Sequence, residues 1–257
     1  MNTVTLPSRA GSTARALWLE TETECARLLR MPESLVPTIA FPAFFYTLFG
    51  LVFDMGASNS AATYYLAMMG SIGVIGTGLM GTAIGTASER SGGWLDMRRV
   101  MSLPRSGWVV AKLVANLFAG LLALLPLFFL AAVFGEVRLN QGQWIGLALT
   151  LLIGGLPFCA IGLMIGSSMG ERAAIAIANL IFLPMLFFSG LMIPLAFFPD
   201  WLQGIAPLLP AWHLGELALM QTRGDSAGQL VHWLVLLAWA GLASGLSAWL
   251  LRRSRQQ

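Results

Sequence analysis

Residues 108–134 read WVVAKLVANLFAGLLALLPLFFLAAVF, and Lys112 is the one charge among them. An α-helix rises 1.5 Å per residue, so about 20 residues cover a ~30 Å hydrocarbon core and this stretch is more than long enough. Five further stretches have the same character: Leu35 to Phe53, Ala62 to Ala87, Trp144 to Gly166, Ala174 to Ile193 and Leu230 to Leu251. The pattern predicts an all-α polytopic membrane protein with six transmembrane helices.

Composition agrees. Of 257 residues, 57% are hydrophobic and 11% charged, against about 45–50% and about 25% in ordinary soluble domains. That excludes a disordered chain, which needs high charge and little aliphatic content. It also leaves too little charge to cover a soluble globule of this size. Cys25 and Cys159 form neither a disulfide framework nor a zinc spacing. Met1 to Arg15 is polar and lacks the apolar core of a cleaved signal, so residues 1–13 read as a disordered tail and the first span as a retained anchor.

With six spans both termini share one side. Arg9, Arg15, Arg27, Arg30, Arg90, Arg98, Arg99, Arg105, Lys112, Arg172, Arg252, Arg253 and Arg255 lie there, and only Arg138 and Arg223 lie opposite: thirteen of 15 basic residues. The positive-inside tendency makes that side the cytoplasm, and the expected location is a bacterial inner membrane, crossed several times. The formal charge of +3 then sets orientation and does not indicate nucleic acid.

No energy source is visible within the chain. A phosphate-binding loop needs Gly-Lys-Ser/Thr, and the single lysine, Lys112, stands between Ala111 and Leu113. Ion-coupled transporters place ionisable groups at mid-membrane, yet no span here carries one near its centre. His213 and His232 read as isolated polar groups on the outer side, short of a metal site. Ser189-Gly190 and Ser244-Gly245 have no neighbouring base that would make a nucleophile. No catalytic residue, metal ligand or cofactor site is expected.

Four segments carry more information. Within 14–31, Ala14, Leu17, Trp18, Thr21, Cys25, Leu28 and Leu29 fall on one face, while Glu20, Glu22, Glu24, Arg27 and Arg30 occupy much of the rest. This predicts an amphipathic helix along the cytoplasmic interface, set off from the first span by Pro32. Between the second and third spans, Gly92-Gly93 break the helix and Pro104 ends a short one from Trp94 to Leu103. Trp94, Met97 and Met101 share its face, with Asp96, Arg98 and Arg99 elsewhere, so it suits either a partner's groove or lipid headgroups. Gly73, Thr77, Gly81 and Gly85 recur every four residues in the second span, a stripe that lets another helix of this chain or of a second copy approach closely. In 194–213, Pro194, Pro199, Gly204, Pro207 and Pro210 forbid a continuous helix in a segment too apolar for an aqueous loop, which predicts a re-entrant region or outer lid.

This order of features resembles the permease subunits of type-2 ATP-binding-cassette exporters. The most specific parts are Glu89-Arg90-Ser91-Gly92 followed by Pro104-Arg105 and Lys112, then Ser189-Gly190, Pro194, Pro199-Asp200-Trp201-Leu202 and Pro207 to Pro210. The resemblance implies a 32–257 transmembrane domain that pairs with an identical or related permease and is driven by two separate cytoplasmic ATPases, which carry the ATP and Mg. It implies a coupling helix at about 89–103, with Glu89, Arg90, Trp94, Asp96, Arg98 and Arg99 facing the ATPase, helped by the interfacial helix and the Glu171-Arg172 turn. Spans one, two and five would face the partner permease. Phe44, Phe45, Phe49, Phe187 and Phe188, with Tyr46 and Phe182, suit an apolar pathway or simple packing against lipid. The expected cargo is a hydrophobic small molecule, drug-like or lipid-like. The alternatives are export of a polysaccharide or an ion by the same kind of permease, or a membrane protein that only binds a partner.

Overall fold

The computed structural model describes residues 9–30, 32–53, 60–93 and 105–253, and all regular structure among them is helical. Helix α1 (Arg9–Leu29) starts ahead of the expected Ala14, inside a stretch whose alanines favour helix. Helix α2 (Pro32–Tyr46) runs into a π turn, Thr47–Val52. Helices α3 (Ser60–Ile75) and α4 (Thr82–Ser91) form one rod through a second π turn, Gly76–Gly81. Then come α5 (Arg105–Val133), α6 (Gln141–Ser168), α7 (Glu171–Phe188), α8 (Asp200–Ile205), α9 (Pro210–Arg223) and α10 (Gln229–Arg253).

Five helices are long and apolar enough to cross a bilayer: 61–91, 107–133, 141–168, 171–188 and 229–247. The first expected span is a shorter apolar helix, Val36–Val52, interrupted by Pro37 and Pro42. Pro126, Pro157 and Pro184 also lie inside helices, which membrane helices tolerate because neighbours satisfy the freed carbonyls.

Helix α6 is the centre of the bundle, packed by α3, α4, α5, α9 and α10. Its start is fixed by a capping box: Gln143 N–H donates to Asn140 Oδ1 at 2.8 Å, and Asn140 N–H donates to Gln143 Oε1 at 2.9 Å. Helix α6 and the α3–α4 rod approach each other closely. A Cβ on Gly78 would stand 2.9 Å from the Gly155 carbonyl oxygen, and one on Gly162 would stand 2.6 Å from that of Leu79. Gly166 faces the backbone of Ala83 and Ala87 in the same way. These glycines, and not the stripe expected from the second span alone, bring the two backbones together.

The region expected to be broken is broken: 3-10 turns at Leu195–Phe197 and Ala206–Leu208 flank α8. The sequence reading ended it at His213, whereas α9 continues to Arg223 and buries Ala211, Leu214, Leu217 and Ala218 in the bundle. Gly224, at φ +71°, ends α9 in the left-handed region that glycine adopts without cost. Helix α10 then returns beside it, while α7 and α10 leave most of their apolar surface uncovered.

Candidate functional site

The amphipathic helix α1 does not point all its charges to water. Glu24 is 7% exposed while Trp18 is 71% exposed, because α1 lies along the start of α5 and turns its acidic face toward Lys112. Lys112 Nζ donates to Glu24 Oε2 at 2.8 Å and also to Glu89 Oε1, which Arg27 Nη1 of α1 reaches as well. Trp108 Nε1–H donates to Glu89 Oε2 at 3.1 Å. Two carboxylates and two cations are thus neutralised in a site from which water is largely shut out. Burial pushes the Glu24 carboxyl above its usual range, with Lys112 pulling the other way. Isolated charges would be costly there, and the reciprocal bonds offset that cost.

The cluster brackets the connection between the second and third spans: Glu89 lies just before Gly92-Gly93, and Lys112 is one to two turns into α5. Of the expected coupling residues, Glu89 is enclosed at 4% exposure and cannot itself present a surface to a partner. Arg90 Nη1 donates to the Ser167 carbonyl at 2.6 Å, so its guanidinium caps the end of α6 and positions the following turn. Glu171 and Arg172 are exposed at the start of α7. Trp94, Asp96, Arg98 and Arg99 lie outside the described residues.

Above the cluster is a cavity of about 130 Å³, lined by residues of α1, α2, the α3–α4 rod and α5 and by Glu171 of α7. Thr77, Gly81 and Gly85 all line it. Four residues overshoot a 3.6-residue turn, and the wider π turn at Gly76–Gly81 cancels part of that drift, so the stripe keeps one face. Gly73 meets Pro42 of α2 and Ala123 of α5, whereas a Cβ on Gly81 or Gly85 would have no heavy atom within 4 Å. The stripe therefore packs at one end and opens at the other. Asn116, which the sequence reading passed over, also faces this space. An uncharged amide in an otherwise apolar span was the available signal.

The family profile described as ABC-2 type transporter matches residues 15–221. The chain belongs to the ABC-2 type transporter family. It is also similar to "Putative transport permease YvfS" of Bacillus subtilis (strain 168), 28% identical over 232 residues that cover 90% of this chain and 94% of that one. Membership makes the chain a transporter's membrane-spanning permease, a type that works with a separate ATPase.

Within this ABC-2 permease the aromatic candidates divide. Phe41, Phe45, Phe49 and Phe53 form a ladder with centroid spacings of 4.5, 5.8 and 5.8 Å, and Tyr65 stacks on Phe49 at 5.5 Å. Phe45 and Phe49 are half-buried in that ladder, Phe182 packs against Gly76 and Tyr46 is fully buried. Phe44, Phe187 and Phe188 are exposed, turned toward lipid or another chain.

The two histidines, expected to be isolated, touch. His213 Nε2 lies 2.8 Å from the Pro207 carbonyl, which only accepts, so Nε2 carries the proton. Its bare Nδ1 then accepts from His232 Nδ1–H at 2.9 Å, and the Trp212 ring packs on both imidazoles. This arrangement ties the 206–208 turn, α9 and α10 together only while His213 is neutral, because a proton on its Nδ1 removes the acceptor. Burial holds the His213 pKa below its ordinary value, with a lesser push from His232; Glu216 on α9, raised by its own burial, pulls weakly the other way. A depressed histidine contributes stability that is complete above the unfolded value of ~6.5 and is lost as pH falls through the folded value. We expect the Tm of the purified permease to drop by a few degrees between pH 7.5 and 5. His232→Phe should flatten that profile in part, by removing the lesser push, and Glu216→Gln should steepen it, because a carboxyl raised by burial adds stability as pH falls. An unchanged profile in His232→Phe would show that the pair does not set it.

Proposed function

We propose that this permease is the membrane-spanning half of an ATP-driven exporter that moves a hydrophobic small molecule, drug-like or lipid-like, out of the cytoplasm. Both termini lie on the cytoplasmic side of a bacterial inner membrane, as thirteen basic residues on that side favour. A second permease copy or relative and two soluble ATPases complete the assembly. The exposed Phe44, Phe187 and Phe188 on α2 and α7 suit an apolar route between the two permeases.

The observation that carries the mechanism is the ionic cluster. Glu89 at one end of the 92–104 connection and Lys112 beyond the other are both bonded to the interfacial helix α1, Glu89 through Arg27 and Lys112 through Glu24. In this reading the ATPase docks on Trp94 and Arg98, and ATP-driven closure pushes the connection. Because α1, α4 and α5 are cross-linked by buried charge, they move as one body. Arg90, holding the end of α6, passes the push to the Glu171 turn and α7. Glu89 acts in coupling through this cluster and not by contact with the partner.

The test starts with the assembled complex. A small soluble ATPase should copurify, and its hydrolysis should be stimulated in lipid; an isolated complex with no nucleotide-binding subunit would end the transporter reading. Replacing Trp94 and Arg98 together with alanine should leave membrane insertion intact and ATP hydrolysis running, while transport per ATP falls at least tenfold, the scale of about 1.4 kcal/mol of lost coupling. Normal transport by that variant would remove the coupling assignment.

A further inference from the structure

His213 and His232 stand in the first turns of α9 and α10, and their Nδ1 atoms converge to 2.9 Å. His213 is 4% exposed, and its Nε2–H is held by the Pro207 carbonyl at 2.8 Å. A backbone carbonyl on the far nitrogen fixes both ring and tautomer, so the Nδ1 lone pair points one way, toward His232. Metal-bound imidazoles are oriented in this manner. His232 is half-buried, and its Nε2 makes no hydrogen bond among the described residues. That nitrogen is free to take the ring's proton, which leaves a second Nδ1 lone pair facing the first. An ion bonded to both at ~2.0–2.1 Å with a tetrahedral angle needs an Nδ1 separation of ~3.3 Å. The pair must therefore widen by ~0.4 Å, which a small rotation of the His232 ring supplies. Glu216, one turn beyond His213, acts on it electrostatically, has no ion pair among the described residues, and places a carboxyl beside the rings. No group of three His, Cys, Asp or Glu side chains forms a ligand cluster among the described residues, so water completes the coordination shell.

We propose that His213 and His232 form a two-imidazole site for one divalent transition-metal ion of the Zn²⁺ class, bound through both Nδ1 atoms in place of their shared proton. Binding makes two nitrogen–metal bonds and moves the His232 proton from Nδ1 to Nε2, so neutral rings release none. Neutral nitrogen donors suit Zn²⁺, Cu²⁺ or Ni²⁺ and discriminate against the oxygen-seeking Mg²⁺ and Ca²⁺. The bound ion joins α9 to α10 directly, while the Pro207 carbonyl keeps the 206–208 turn attached to the same ring. The site goes beyond the exporter reading, since it needs neither an ATPase nor a cargo.

The test uses the full-length permease in detergent, purified on a tag without histidine, stripped with EDTA and titrated calorimetrically with ZnCl₂ at neutral pH. Wild type should bind one ion per chain. Zn²⁺ at about 100 times its Kd should raise Tm by ~5–10 °C, an effect reversed by EDTA and not reproduced by MgCl₂. Co²⁺ in place of Zn²⁺ should give the visible absorption bands of a tetrahedral site. His232→Gln keeps an N–H for the His213 Nδ1 but removes the second imidazole. It should melt near wild type in EDTA while its Zn²⁺ affinity falls at least tenfold, and His213→Gln should lose the ion as well. Full-strength binding by His232→Gln would place the ion elsewhere and overturn the proposal, as would an adventitious ion only, seen as several weak sites unaffected by either substitution. Wild type without saturable Zn²⁺ binding below ~1 mM would overturn it too. The Co²⁺ spectrum needs no variant, so the absence of tetrahedral bands in wild type decides against the site even if a substituted chain fails to fold.

Discussion

Lys112→Met should destabilise the permease by about 3–5 kcal/mol, the usual result of stripping one partner from a buried ion pair. The single lysine bonds to two carboxylates of low exposure, Glu24 and Glu89. Without it Glu89 keeps Arg27 and the Trp108 indole, but Glu24 loses the ammonium that offsets its burial. At ~2–4 °C per kcal/mol for a chain of this size, the Tm should fall on the order of 10 °C. Glu24 already sits above its ordinary pKa because it is buried, and losing Lys112 raises it further. A carboxyl whose folded pKa is raised binds its proton more tightly when folded, so the deficit should shrink as pH falls from 8 to 5. Lys112→Met/Glu24→Gln should recover most of the loss at neutral pH and show a flatter profile. If Lys112→Met melts like wild type at pH 8, the cluster does not hold α1 to the bundle.

Gly166→Ala should cost about 1–3 kcal/mol, and the Gly162→Ala/Gly166→Ala pair should prevent stable folding in detergent. The atoms in the way are backbone or fixed to it: the Ala83 carbonyl, Thr86 Cβ and Ala87 nitrogen for Gly166, and the Leu79 and Gly78 carbonyls, at 2.6 and 2.8 Å, for Gly162. A side chain can rotate away from an intruding methyl, whereas a helix backbone must translate as a whole. The α4–α6 seam would therefore have to open. Gly81→Ala is the internal control, since its added methyl meets nothing within 4 Å, and it should leave Tm within about 2 °C. Similar melting of Gly81→Ala and Gly166→Ala would mean that the seam is looser than its distances imply.

The spans were legible because a bilayer demands length and apolarity, both of which lie along the chain. Broken helix between residues 194 and 209 was legible because proline acts locally on its own backbone. The cluster was less legible. The sequence places Glu24 among five charged residues on the polar face of an interfacial helix, and nothing local distinguishes it from Glu20 or Glu22. Its burial depends on the angle at which α1 crosses α5. The glycine stripe was half legible: the repeat of Gly73, Thr77, Gly81 and Gly85 was visible, but not the π turn that keeps it on one face. The seam glycines Gly155, Gly162 and Gly166 belong to another helix, and a stripe reads as packing only once its partner is known.

By itself, then, the sequence determined that this is an all-α membrane protein, with its apolar runs, proline breaks and family membership, because hydrophobic length and backbone chemistry are properties of contiguous residues. Only the tertiary structure decided that Glu24, Arg27, Glu89 and Lys112 form one buried unit, that His213 meets His232, and that Asn116 faces a cavity. Each of these depends on how helices distant in sequence are rotated against one another. That rotation is set by packing summed over the whole bundle, to which no single segment holds the key.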